Sequence, residues 1–282
     1  MSKIAVIGIA GESVFLSVDD FGATGETTVA KSYYSEIGGK GFNQAVAIAR
    51  YGVECSYLCA VNENDVAHFM EIAKAQGIKA HFIPKKEHSP YAVITTDKNG
   101  DNRVCVYRGA ELSVLDVDDF FDEIKSADLL LLSNETPISV NERAVKIAKE
   151  NGVKIILNPA PARAHTQEFL AQIDLFTPNE HETEGLENFD NVVVTLGDKG
   201  CFIKYMGMPI PAKGVKNVVD TTGAGDTFNG VLAACLVEGE DIKTACEKAN
   251  VAAAIKVSRK YILDSIPTRE EIQKYEEEQK NG

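Results

Sequence analysis

Val218-Val219-Asp220-Thr221-Thr222-Gly223-Ala224-Gly225-Asp226-Thr227-Phe228-Asn229-Gly230 leads into an apolar helical stretch. Small residues at Gly223, Ala224 and Gly225 let backbone N–H groups come close to an anion at the positive end of that helix. An acid at Asp226, on the first turn, stands beside a phosphoryl group held there and can accept a proton from an attacking hydroxyl. Taken alone, a glycine pair followed by aspartate more often reads as a loop and helix cap.

Outward from this segment, short β-branched runs alternate with helical stretches, the pattern of an α/β protein with a mostly parallel sheet and helices on both faces. The strands expected are Lys3–Ala10, Cys55–Val61, Lys79–Ile83, Asp128–Leu132, Val153–Leu157, Leu175–Thr177, Val192–Thr195 and Cys201–Tyr205. Several are continuous apolar runs, as sheets covered on both faces require. Helices are expected at Phe42–Tyr51, Asp65–Gln76, Ser139–Asn151, Thr166–Gln172, Asp226–Glu238, Ile242–Val257 and Arg269–Glu278. Two pairs break the rhythm: Ser13–Asp19 with Thr28–Ile37, and Tyr91–Thr96 with Arg103–Gly109, the second joined by a turn-rich Asp97–Asp101. These read as antiparallel hairpins. They predict a small β-sheet lid, in segments of about 12–38 and 90–110, on a single domain spanning 1–282. Such a lid would stand beside the carboxyl edge of the main sheet, where ligands bind in folds of this kind.

The chain of 282 residues is 44% hydrophobic and 25% charged, enough apolar material for a sizeable core. Its net charge of −13 opposes binding to a polyanion and argues against nucleic acid as a partner. An anionic nucleotide remains compatible, since a helix N-terminus and a divalent cation reverse the local field. The six cysteines show no zinc-ligand spacing and read as buried free thiols. The apolar stretch Ile4–Ala10 is too short for a signal peptide or a membrane span, so a cytoplasmic protein is expected.

Further segments remove the ambiguity of the glycine motif. They are Phe21-Gly22-Ala23-Thr24-Gly25-Glu26-Thr27, Gly38-Gly39-Lys40-Gly41-Phe42-Asn43-Gln44-Ala45, Asn134-Glu135-Thr136-Pro137 and Leu157-Asn158-Pro159-Ala160-Pro161-Ala162. Thr177-Pro178-Asn179-Glu180-His181-Glu182 and Thr195-Leu196-Gly197-Asp198-Lys199-Gly200 follow in order. With the Asp226 motif, the chain resembles the ribokinase-like (phosphofructokinase B type) carbohydrate kinases from end to end. The GGKGxNQA form is nearest the ribokinase branch.

The resemblance implies a ribokinase-like fold and an ATP-dependent phosphotransferase acting on a sugar or sugar-like hydroxyl. It implies Asp226 as catalytic base, with Gly223, Ala224 and Gly225 as the anion hole for the γ-phosphate. It assigns Gly39, Lys40, Asn43 and Glu135 to the acceptor, and Asn179, Thr195, Gly197, Gly200 and Asn250 to the nucleotide. Glu182 would organise Mg²⁺ through water, Asp220 and Thr222 would bind K⁺, and two lids would pair in a homodimer. For Asn250, core packing is an equally good reading.

Three departures stand out. Ser13 occupies the place of an aspartate that grips two sugar hydroxyls in ribokinases, and a serine offers no bidentate charged grip. Glu12 would replace it only after a one-residue shift of register. The interval from Glu182 to Val192 is shorter than in relatives, which insert a helix or more. Tyr261 stands where relatives favour glycine, in the Lys256–Ser265 loop that would complete a K⁺ site. The acceptor therefore stays open between a sugar other than ribose, a nucleoside and a phosphosugar. A non-catalytic sensor is disfavoured because Asp226, Asn179 and Glu182 are all present.

Overall fold

The computed structural model describes residues 2–215 and 217–281, leaving aside the side chains of residues 102 and 279–281. In chain order the first half runs β1 (Lys3–Ile7), β2 (Gly11–Ser17), β3 (Ser32–Gly38), α1 (Lys40–Arg50), β4 (Glu54–Asn62), α2 (Val66–Ala75), β5 (Lys79–Lys85), β6 (Tyr91–Thr96) and β7 (Asn102–Tyr107). Next come α3 (Val114–Asp119), α4 (Phe121–Lys125), β8 (Leu129–Ser133), α5 (Ile138–Glu150), β9 (Lys154–Asn158), α6 (Gln167–Leu170) and β10 (Leu175–Phe176). The remainder is β11 (Val193–Thr195), β12 (Cys201–Ile203), β13 (Met208–Ile210), α7 (Ala224–Val237), α8 (Ile242–Val257) and α9 (Arg269–Asn281).

The central sheet is parallel, in the order β10-β9-β8-β1-β4-β5. Strand alternation sorts its side chains to two faces. Ile4, Val6, Tyr57 and Leu131 join the cluster that contains α1, α7 and α8, whereas Ala5, Ile7, Leu58 and Leu130 join that of α3, α4 and α5. Burial on both faces is why these strands read as unbroken apolar runs.

The lid is a separate four-stranded sheet, β3-β2-β6-β7, in which β2 pairs antiparallel with β3 and parallel with β6. A third, antiparallel sheet, β11-β12-β13, flanks the end of the central one. The expected strand Cys201–Tyr205 ends at Ile203, where a 3-10 turn takes over. The short helices α3 and α4 and the three-residue strand β13 were not expected. Ser113 and Asp116 start α3 with a reciprocal capping box, too brief a signal to outweigh the apolar pattern around it.

The shortened interval after Glu182 contains only turns and bends. Its carbonyls converge on one ammonium, with Lys204 Nζ donating to Leu186 O at 3.3 Å and to Glu187 O and Phe189 O at 2.7 Å. Phe189 packs edge-on against Phe176 with ring centres 5.3 Å apart. Lysine and phenylalanine thus cover the sheet edge in place of a helix.

Candidate active site

Two helix N-termini meet beside the carboxyl ends of the central strands. Helix α1 begins after Gly39, whose φ of 117° and contact with Ile9 O leave no room for a side chain. Helix α7 begins after Gly223, at φ 77°. The helices sit close because Gly230 lies against Gln44 O and the Ala47 methyl, where a Cβ would clash.

Each first turn contributes one half of a buried pair. Asn43 Nδ2 donates to Asp226 Oδ2 at 2.9 Å, and Gln44 Nε2 approaches Asp226 Oδ1 at 3.5 Å. From Gln44 the polar chain continues to Asn158 Oδ1 at 3.4 Å, and Asn158 Nδ2 donates to Thr177 O at 2.8 Å. Thr177 Oγ1 donates to Asn229 Oδ1, and Asn229 Nδ2 to Gly225 O at 2.8 Å, closing the circuit on α7. Gln44, Asn158, Thr177 and Asn229 were not singled out in the sequence, although each lies inside a matched segment. Among the described residues, the buried Asn43 Oδ1 has no hydrogen-bond partner.

Glu135 caps α1, its Oε2 accepting the Lys40 N–H at 2.8 Å. Burial pushes its carboxyl up to about 8, and the Asp226 charge adds to this, while Lys40 and the backbone donors oppose it. The Lys40 ammonium is held above the usual lysine range, chiefly by Asp226 and, against the cost of burial, by Glu135 and Glu182. Ser13, Gly39, Lys40, Asn43, Glu135 and Asp226 all line one cleft of about 380 Å³. The lid closes one side of it with Tyr91, Ile94, Val104 and Val106.

Ser13 is 7% exposed and pairs across β2–β3 with Glu36, whereas Glu12 is exposed and alternates to the other face of β2; both residues line the cleft. Ser13 Oγ nearly touches the Cα side of Gly38, where an added Cβ would come within 2.5 Å.

The residues assigned to the nucleotide lie on and around the small antiparallel sheet. Asn179 and Thr195 form a single parallel bridge, with Thr195 N–H donating to Pro178 O at 2.8 Å. A 3-10 turn, Gly197–Lys199, leads to Gly200, where φ is 95° and a Cβ would strike Ile210 O. Asn250 spends its amide donor on Ile210 O at 3.2 Å and Pro211 O at 3.3 Å, a packing role within this sheet. Asn179 and Glu182 form a closed turn rather than a helical one. Glu182 Oε2 accepts the Asn179 N–H at 3.0 Å and Asn179 Oδ1 accepts the His181 N–H at 2.8 Å. In the anion loop, the Ala224 N–H donates to Thr221 O at 3.2 Å.

The two cations implied by the resemblance fare differently. Among the described residues no three His, Cys, Asp or Glu side chains cluster as a metal cage. For Mg²⁺, which commonly rides on substrate phosphates with one or two carboxylates and several waters, the residues present are the Glu182 carboxylate and the Asn179 amide of one turn. The donors for K⁺ do not fit. Asp220 Oδ1 accepts the Thr222 N–H at 2.9 Å, Oδ2 accepts the Tyr261 N–H at 3.0 Å, and the Asp220 carbonyl accepts Lys256 Nζ at 2.8 Å. Tyr261, at φ 63°, is the one non-glycine residue with positive φ among those described, and it stacks on Tyr34 with ring centres 3.6 Å apart.

Residues 1–269 match the pfkB family carbohydrate kinase pattern. A ribokinase of Haemophilus influenzae is 37% identical over 95% of this chain and 96% of its own length. The crystal structure of a Thermotoga maritima ribokinase superposes with a TM-score of 0.87 at 32% identity, covering 98% of this chain and 100% of that one. An Arabidopsis thaliana ribokinase complexed with ribose and ATP superposes with a TM-score of 0.83 at 29% identity, over 97% of this chain and 98% of that one.

Proposed function

The chain belongs to the pfkB family of carbohydrate kinases and is an ATP-dependent kinase of a sugar or sugar-like hydroxyl; from that premise we propose that Asp226 is its general base and that the first turn of α7 receives the transferring phosphoryl group. The observation that carries this reading is the 2.9 Å hydrogen bond from Asn43 to Asp226. It puts one carboxylate at an anion-binding helix end and in the acceptor cleft at once.

The acceptor oxygen attacks the γ-phosphorus, the bond to the β-phosphate oxygen breaks to release ADP, and the hydroxyl proton passes to Asp226. Backbone N–H groups at Gly223 and Gly225 meet the charge on the transferring group, and that of Ala224 joins them on leaving Thr221 O. Lys40 and Asn43 orient the acceptor, and Asn43 Oδ1 offers the buried acceptor atom that a sugar hydroxyl would satisfy. Burial holds the Glu135 carboxyl above its ordinary range, which favours its neutral form as a hydrogen-bond donor to an acceptor oxygen. Asn179, Thr195, Gly197 and Gly200 form the nucleotide side. Mg²⁺ would be held there by Glu182, with Asn179, through water, and supplies charge neutralisation on the phosphates. Asn250 supports that sheet from behind.

Ser13 narrows the acceptor. A single neutral hydroxyl in place of a charged bidentate grip favours a substrate other than ribose. The apolar lid side chains Ile94, Val104 and Val106 favour a second reading, in which the acceptor carries a base. Among the described residues no helix is long and apolar enough to cross a membrane. Five of the six free cysteines are buried while Cys105, expected to be buried too, is exposed on β7 of the lid; free thiols suit a reducing cytoplasm, and the exposed Tyr33 and Tyr107 of the lid suit pairing of two lids. The test is ADP release measured against a panel of pentoses, hexoses and nucleosides. No acceptor-dependent release from any of them would overturn the reading.

A further inference from the structure

We propose that Lys256 is a built-in monovalent cation: its ammonium takes the charge position that K⁺ would hold behind the anion loop, so this chain works without a bound alkali ion. Lys256 lies on the last turn of α8 and is 0% exposed, a placement that is unfavourable for an ammonium unless its charge is met. Its Nζ reaches the Asp220 carbonyl at 2.8 Å and stands 3.9 Å from Asp220 Oδ1. The C-terminal end of a helix is also where a cation is favoured.

The neighbouring oxygens are taken up by backbone N–H donors, leaving the Lys256 ammonium as the cation of the cluster among the described residues. Val257 O accepts the Val219 and Asp220 N–H groups at 2.7 and 3.2 Å. Both carboxylate oxygens of Asp220 accept backbone N–H groups, as described above. Glu36, on lid strand β3, grips the far side of the same loop, accepting the Ile262 N–H at 2.7 Å and the Leu263 N–H at 2.8 Å. Burial pulls the lysine pKa down, while Asp220, Glu36 and Asp226 hold the charge on it. The loop conformation survives a tyrosine at 261 because the ring stacks on Tyr34 and meets Phe15 edge-on.

Lys256 is a positioning residue. It touches no substrate atom, but it fixes the Asp220 peptide three residues before Gly223 and adds positive potential behind the first turn of α7. A tethered charge costs no ion-binding step and leaves activity independent of cellular K⁺.

The experiment compares the parent, Lys256→Ala and Lys256→Met in KCl, NaCl and choline chloride at one ionic strength. Melting midpoint is the first readout, because it needs no acceptor and so stands even if the kinase reading fails. ADP release with ribose and with the best acceptor of the panel is the second. The parent should melt at the same temperature in K⁺ and choline and turn over within about twofold in both. Lys256→Ala opens a cation-sized space: it should melt higher in K⁺ than in choline and lose about tenfold in rate in choline, with most of it restored by K⁺. Lys256→Met keeps the volume and removes the charge, and should stay slow in all three salts. A parent stabilised or activated specifically by K⁺ overturns the proposal, as does a fully active Lys256→Met or a Lys256→Ala variant indifferent to K⁺. Should Lys256→Ala fail to fold, the parent and Lys256→Met still decide the matter.

Discussion

Asp226→Asn removes the proposed proton acceptor with almost no change in volume, and the structure fixes what else it alters. Both carboxylate oxygens face donors, Asn43 Nδ2 at 2.9 Å and Gln44 Nε2 at 3.5 Å. An asparagine amide must therefore turn its NH₂ toward one of them. The longer contact is the cheaper to lose, so the amide oxygen keeps Asn43 and the NH₂ faces Gln44, at about 1 kcal/mol of stability. Lys40 loses its strongest supporting charge but retains Glu135 and Glu182. Chemistry suffers far more, since removing a general base costs on the order of 10²–10⁴ in rate, or about 3–5 kcal/mol of barrier. Initial rates of ADP release at saturating ATP and acceptor, with calorimetric ADP binding beside them, separate the two effects. The expected result is kcat down at least a hundredfold with nucleotide affinity nearly intact. A folded variant that keeps more than about a tenth of the parental kcat would refute the assignment of Asp226 as base.

Ser13→Asp should raise kcat/KM for ribose by about tenfold, since each charged hydrogen bond gained is worth roughly 1.5–3 kcal/mol, less the repulsion from Glu36 directly across the β2–β3 pair. Ribose already the best acceptor of the parent, with no gain in the variant, would count against the specificity argument. Glu135 is raised from about 4.5 to about 8, so the folded chain binds the extra proton between these values. Its contribution to stability is full below the lower value and lost as pH rises through the upper one. The ceiling is about 5 kcal/mol, and access of water from the cleft reduces it to roughly 1–3 kcal/mol. Glu135→Gln should accordingly lose less melting temperature than the parent between pH 5.5 and 8.5, whereas parallel curves would dismiss the shift. Glu182→Gln should raise the Mg²⁺ concentration needed for half-maximal rate at fixed ATP, and superimposable titrations would remove Glu182 from the metal's surroundings.

The sequence by itself determined the fold class and the identity of the two glycine-bounded helix starts, because both are written in short windows. Apolar runs buried on two faces announce a parallel sheet, and Gly39 and Gly223 mark turns that only positive φ permits. Asp226, Lys40 and Asn43 each lie within a few residues of such a marker, whereas Glu135 was singled out only through the resemblance carried by Asn134–Pro137. Elements of three to six residues, β13, α3 and α4, were not legible, since their signals are shorter than the periods that define helix and strand. Tertiary structure alone buried Ser13 opposite Glu36 and left Glu12 exposed, because strand register sends neighbours to opposite faces. It alone joined Gln44 to Asn158, and Glu36 to Ile262 across 226 residues of chain. It also turned Lys256, an ordinary lysine at the end of a helix in the sequence, into a buried charge under the anion loop. Such contacts join residues far apart along the chain, and their energy comes from desolvated charges that meet only when the sheet, the lid and α8 are packed together.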